Sequence, residues 1–274
     1  MTAERGGDAV AMTEQEGTSA GSFLTPKVTS CVRALAFPRI AEVRRRANDV
    51  EDALADEYQQ PTTITTPDDA PPELPRLLIP AKDARRGIAI SQVTIQMNLL
   101  FSDESPTDID TVAAYVNEHH REIFTAFASV KGVAPAFFGV TTTVQIPTRL
   151  SSDAELLTLY TRSILKSPEI PRGYYDLNVK RTTITNKTFH NNITLANYRS
   201  YTIDAPSNPV DVVLRIPARS VTARGIEVTG DFNDRYAYNE RKQYRTSAAV
   251  AQEIVRHAMN EVREAVNEVE AMEL

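Results

Sequence analysis

Residues 225–234 read GIEVTGDFND, and residues 247–272 read SAAVAQEIVRHAMNEVREAVNEVEAM. In the first stretch Ile226, Val228 and Phe232 alternate with Glu227 and Thr229, the period of two of a half-buried strand. Gly230 interrupts the run and marks a bulge or a close backbone approach. In the second, Ala251, Ile254, Ala258, Val262, Ala265, Val269 and Met272 recur at three- and four-residue steps, one apolar stripe of a helix. Glu253, Arg256, Asn260, Arg263, Glu264, Asn267 and Glu270 fill the remaining surface, and Thr246 or Ser247 supplies a capping hydroxyl. A helix this long and one-sided predicts a β-sheet beneath it.

Working back from this unit, further elements follow. Val28–Phe37 reads as a strand, and Pro38 opens a helix with the stripe Ile40, Val43, Ala47, Val50, Leu54 and Tyr58. Residues 60–87 hold six prolines and read as a solvated loop with a short edge strand at Thr62–Thr66; connections of this length are often functional. Val93, Ile95, Met97, Leu99 and Phe101 alternate with Thr94, Gln96, Asn98 and Leu100, which reads as a strand. A helix capped near Asp108 follows, with Ile109, Val112, Val116, Ile123, Phe127 and Val130 inside and Gly132 at its end. Phe138–Ile146 is the next strand, and Ser151-Ser152-Asp153-Ala154-Glu155 starts a short helix to about Leu165. Tyr174–Thr185, Asn192–Ile203, Val210–Ile216 and Gly225–Asp234 are strand candidates at close spacing.

The expected fold is α+β, with two mixed or antiparallel sheet-plus-long-helix units packed together. Residues 1–21, rich in Gly, Ser, Thr and Glu, form a disordered tail. Residues 22–148 make an N-terminal unit whose order resembles a ferredoxin-like split βαβ, with the Pro-rich loop inside it. Residues 149–274 make an antiparallel meander plus the closing helix; with Phe138–Ile146 lent to it, this half resembles a helix-grip fold.

Composition excludes several classes. No run approaches the ~20 apolar residues of a membrane span, and the start lacks a basic-then-apolar leader. One cysteine, Cys31, excludes a disulfide framework within the chain and suits a reducing cytoplasm. The net charge is −6, yet residues 172–245 hold 12 Lys and Arg against 7 Asp and Glu, while the rest holds 18 against 29. That asymmetry leaves room for an anion-facing surface.

No phosphate-binding glycine loop and no G-x-S-x-G elbow is present, so no catalytic residue and no cofactor is assigned. Metal binding is tested by His119 with Glu122 and by Glu253 with His257, each pair about one helical turn apart. On the helical wheel His119 and His120 flank the stripe while Glu122 and Glu253 point away, so no metal is expected. Asp231 and Asp234 read as a polar turn. The most suggestive cluster is Arg235, Tyr236, Tyr238, Arg241, Lys242, Tyr244 and Arg245, where basic and aromatic side chains interleave as they do on phosphates and bases. The same residues also suit a solvated connection whose tyrosines cap the sheet.

The strand-Pro-helix at Val28–Tyr58, the strand ending Leu99-Leu100-Phe101-Ser102-Asp103, the helix with Tyr115, His119 and Phe124, and the closing unit Gly225–Met272 together resemble a sporadically distributed family of uncharacterised bacterial proteins of about this length. The resemblance implies an α+β fold and a cytoplasmic location; it carries no activity. The expected role is a non-catalytic binding or assembly protein with a protein partner or self-association and no membrane. Nucleic acid or another polyanion, taken by the basic-aromatic half, is the second class, and a helix-grip ligand binder or enzyme the third.

Overall fold

The computed structural model describes residues 22–67, 69–101, 105, 107–130, 133–166, 175–202 and 221–272. The expected tail at 1–21, the strand at Val210–Ile216 and the stop at Gly132 lie outside the described residues. The chain runs β1 (Lys27–Ala36), a 3-10 turn (Val43–Arg46), α1 (Ala47–Leu54), β2 (Thr62–Thr63), β3 (Leu77–Pro80), β4 (Arg86–Ile90), β5 (Thr94–Leu99), α2 (Ile109–Glu118) and α3 (Glu122–Val130). It continues with β6 (Phe137–Pro147), α4 (Asp153–Ser163), β7 (Asn178–Thr185), β8 (Phe189–Tyr201), β9 (Val221–Asn233), α5 (Arg235–Glu240) and α6 (Ala248–Glu270).

All nine strands of the described residues belong to one sheet of order β2-β3-β4-β5-β1-β6-β9-β8-β7, and every neighbouring pair is antiparallel. The α+β class therefore stands, but the two sheets expected from the sequence are one. The join is β6, which pairs with β1 on one side and with β9 from Gly139↔Asn233 to Pro147↔Gly225 on the other. Alternation along β6 defines its two faces; it does not say which strands flank it.

The Pro-rich stretch also departs from a plain loop. It carries β2, at the sheet edge, and β3, whose Leu77 and Ile79 are buried. Its second half then starts β4. Pro80 is the last residue of β3, a position where a missing N–H is tolerated. The helix expected to open at Pro38 begins later, as a 3-10 turn at Val43, because the Phe37 and Ile40 N–H groups bond the Val93 and Gln92 carbonyls instead. The single helix expected over Ile109–Val130 is two, broken at His119-His120-Arg121.

Helices pack on one face. β6 shows the alternation clearly: Phe138, Val140, Thr142, Val144 and Ile146 are buried, while Phe137, Gly139, Thr141, Thr143 and Gln145 are only partly covered. α6 lies across β6, β9 and β8, and α3 against β1 and β5, with α1 packed on α3. The whole predicted stripe of α6 is buried, joined by Val255, Met259 and Val266. Each such side chain contributes roughly 1.5–3 kcal/mol on leaving water. Ser247 caps the helix, accepting from the Val250 N–H. Gly230 is a close approach: a Cβ there would collide with Val262 and the Phe232 ring. No helix among the described residues covers the opposite face, although α5 touches its end where Tyr238 packs on Phe137 at 5.8 Å. No helix of the described residues is long and apolar enough to cross a membrane.

Candidate functional site

A dense polar cluster on the helix-bearing face centres on Arg86, whose side chain is 3% exposed. It is assembled from five places in the chain. Glu57 and Tyr58 follow α1, and Asp83 sits in the β3–β4 turn beside Ala84, which takes a positive φ of 56°. Arg86 opens β4, Tyr115 projects from α2, and His119 and Glu122 flank the α2–α3 break.

Every guanidinium nitrogen of Arg86 is engaged. Nε donates to Glu122 Oε2 at 2.9 Å and to the Tyr58 hydroxyl at 3.1 Å. Nη2 donates to Glu122 Oε1 at 2.9 Å and to Glu57, and Nη1 to Asp83 and to the Tyr115 hydroxyl, each at 2.8 Å. Glu122 thus receives a bidentate fork, the strong geometry for this pair. Tyr58 donates to its Oε2, and His119 Nδ1 lies 2.6 Å from its Oε1. Directly beneath, the fully buried Arg33 donates to the carbonyls of Val116 and His119 and so closes the C-terminal end of α2.

Two expectations are corrected here. Glu122, assigned to the solvent side of its helix, points inward with its side chain 15% exposed, because the backbone turns at the break between α2 and α3. Glu57, His119 and Glu122 bring three ligand atoms within 4.8 Å of one another, a convergence the wheel did not foresee. The Arg86 guanidinium already bonds both carboxylates, so the place a cation would take holds one. His257 contributes nothing there: its neighbours are Asn191, at 3.0 Å, Glu261 and the edge of the Phe232 ring.

Electrostatics lock the cluster. Burial pushes the Glu122 carboxyl up, but hydrogen bonds from Arg86, Tyr58 and His119 outweigh it and hold it below the ordinary range. Asp83 is likewise held low: burial opposes this, and the Arg85 N–H, Tyr115 and Arg86 prevail. Burial, reinforced by Glu122, raises the Tyr58 phenol, and burial raises that of Tyr115. Acids are thus fixed as anions and phenols as neutral groups. A general acid or base instead needs a pKa near the working pH.

The seven basic and aromatic residues singled out in the sequence do share one end of the sheet, on α5 and the segment leading to α6. Most are occupied internally. Arg235 lies over the Phe137 ring at 5.6 Å, and Arg241 donates to the Lys187 carbonyl in the β7–β8 turn at 2.9 Å. Arg245 donates to the Tyr244 carbonyl. The Tyr244 hydroxyl donates to Asp234 at 2.7 Å, while Tyr236 is half-buried and Lys242 is exposed. Asp234 itself is buried, accepts the Phe138 N–H at 2.6 Å, and has its carboxyl pushed up by burial. It fastens the segment to the sheet. Asp231 faces the other way and accepts from Asn192, so the two carboxylates form no pair. Cys31 is buried, and burial raises its thiol pKa.

No protein-family model, curated protein or solved structure matches this chain.

Proposed function

We propose that the chain is a non-catalytic binding or assembly protein of the bacterial cytoplasm, with a protein partner, and that the helix-free face of its sheet is the recognition surface. The observation that carries this reading is the breadth and chemistry of that face. It spans a nine-stranded sheet and presents hydroxyl and amide groups such as Thr141, Thr143, Thr229, Thr194, Gln96 and Asn98. Glu227, bonded to Gln145, and Asp231 make it unsuited to phosphates. The Arg86 cluster supports the non-catalytic part, since its groups satisfy one another.

The finer fold likenesses belong to the same proposal. α6 lying across β6, β9 and β8 supports the helix-grip likeness, and the order β4-β5-β1-β6, with β1 inserted antiparallel between β5 and β6, supports the ferredoxin-like one. The resemblance to the sporadically distributed bacterial family is retained with it, supported by β1, β5, α2 and the β9–α6 unit in the expected places.

The test is affinity capture with the full chain from the cells that make it, read by mass spectrometry. A discrete protein partner is expected, lost in a Thr143→Lys/Thr229→Lys variant whose melting temperature is unchanged, and kept in Glu264→Lys on the solvent side of α6. Equal capture by both variants would mean that the face is merely solvated. Material that is nuclease-sensitive and lost in Arg235→Glu/Lys242→Glu would favour instead the polyanion reading, which rests on the basic residues gathered at one end of the sheet.

A further inference from the structure

Between the 3-10 turn and the Pro-rich stretch lies a polar cavity of about 350 Å³, lined by Glu42, Arg44, Arg45, Pro67, Arg76 and Gln92 among others. Arg76 is 3% exposed. Its Nη2 makes only long contacts to the Ala70 and Pro71 carbonyls, at 3.3 and 3.4 Å, and its buried Nη1 has no partner. Arg44 bonds the Ile64 carbonyl and Thr66, which are neutral groups. Arg45 is exposed and pairs with Glu42 at 2.7 Å. Among the described residues no carboxylate pairs with Arg44 or Arg76. A buried cation with no counter-charge and a free donor is costly, and proteins rarely keep one without use.

We infer that this cavity is a binding site for a small phosphate-bearing molecule. Among the described lining residues, three guanidinium groups against one carboxylate leave two positive charges, and a phosphate monoester carries about −1.5 to −2 at neutral pH. Planar guanidinium forks suit phosphate oxygens. The volume falls within the range of small-ligand pockets, roughly 300–1,000 Å³, and exceeds a lone oxyanion. No aromatic ring is among the described residues that line it, so the remainder of the ligand is compact and polar rather than a stacked base. Gln92, held by its Nε2 bond to the Ala41 carbonyl and accepting from Arg39, supplies a fixed amide at the wall. The site gives the Pro-rich stretch a purpose: Arg44 holds its residues 64–66, and Arg76 stands at its far end.

The experiment is thermal unfolding of the full chain with inorganic phosphate or glycerol 3-phosphate, against glycerol and sodium chloride at equal ionic strength. Glycerol 3-phosphate is expected to raise the melting temperature by several degrees, and glycerol and chloride to leave it unchanged. A larger shift with the phosphoester than with inorganic phosphate assigns a phosphorylated molecule; the reverse assigns the free ion. Arg44→Gln and Arg45→Gln are expected to weaken the apparent affinity at least tenfold. Arg76→Gln is expected to abolish the shift while leaving the unliganded chain no less stable, since it removes an uncompensated charge. Arg45 is exposed, so its variant folds and keeps the test decisive. The absence of any phosphate shift, or a shift of the same size in the wild type and all three variants, would overturn the inference.

Discussion

Arg86→Met is expected to lower stability by about 3–5 kcal/mol, the range for breaking a buried ion pair by removing one partner. The substitution leaves Glu122 with a bidentate donor gone, and Asp83, Glu57 and two phenols without their common partner. Spread over a chain of this size, that loss is a fall in melting temperature on the order of 10 °C. The double variant Arg86→Met/Glu122→Leu is expected to recover part of it, because no unpaired carboxylate then stays buried. Acid titration gives a second readout. The Glu122 carboxyl is held below its ordinary 4.5, so its contribution is complete above about pH 4.5 and is lost as pH falls through the lowered folded-state value. That slope should flatten in Arg86→Met. Urea unfolding followed by circular dichroism checks both; a loss under 1 kcal/mol with an unchanged acid slope would mean that water already screens the network.

Ile254→Asp is expected to prevent stable folding, while Glu264→Ala leaves stability within about 0.5 kcal/mol. Ile254 is 1% exposed in the first half of the α6 stripe, on a helix packed against β6 and β9. A carboxylate there finds no cation, and the cost of its burial is comparable to the whole stability of an ordinary domain. Glu264 sits on the solvent side of the same helix. Expression yield and unfolding curves of the two variants make the comparison. Similar behaviour would show that the helix presents a different face to the sheet.

The closing unit was legible because two independent periods agree in it: alternation along Ile226–Phe232 and the three-and-four spacing from Ala251 to Met272. The single sheet was not legible. β6 reads as a good strand whether its second neighbour is β9 or nothing, since pairing partners leave no mark on alternation. β3 was hidden by its prolines. Their density suggested a loop, although Leu77 and Ile79 needed only four residues of strand to reach the core. The α2–α3 break was equally invisible, because the apolar stripe continues in phase through Val116 and Ile123 while the backbone turns at His119-His120-Arg121. Without that break Glu122 faces water on the wheel; with it, Glu122 reaches Arg86. Arg86 itself carried no local signal, as its partners lie 3 to 36 residues away. Arg76 was equally silent, one of four cations in the proline-rich stretch. The basic-aromatic segment was visible as composition, but the internal bonds that occupy Arg241, Tyr244 and Arg245 depend on tertiary contacts.

The proposed recognition role needs a sheet that is helix-packed on one face and open on the other, and thiol labelling of introduced cysteines tests this most directly. Gln96→Cys on β5 and Thr229→Cys on β9 lie on the open face, whereas Val228→Cys and the native Cys31 lie beneath the helices. In the isolated chain, the two open-face thiols are predicted to react with a maleimide at rates approaching those of the urea-unfolded chain, while Val228→Cys and Cys31 stay silent until unfolding. Protection of Thr229→Cys that persists on dilution would show that the chain covers this face itself, and would contradict its role as the recognition surface.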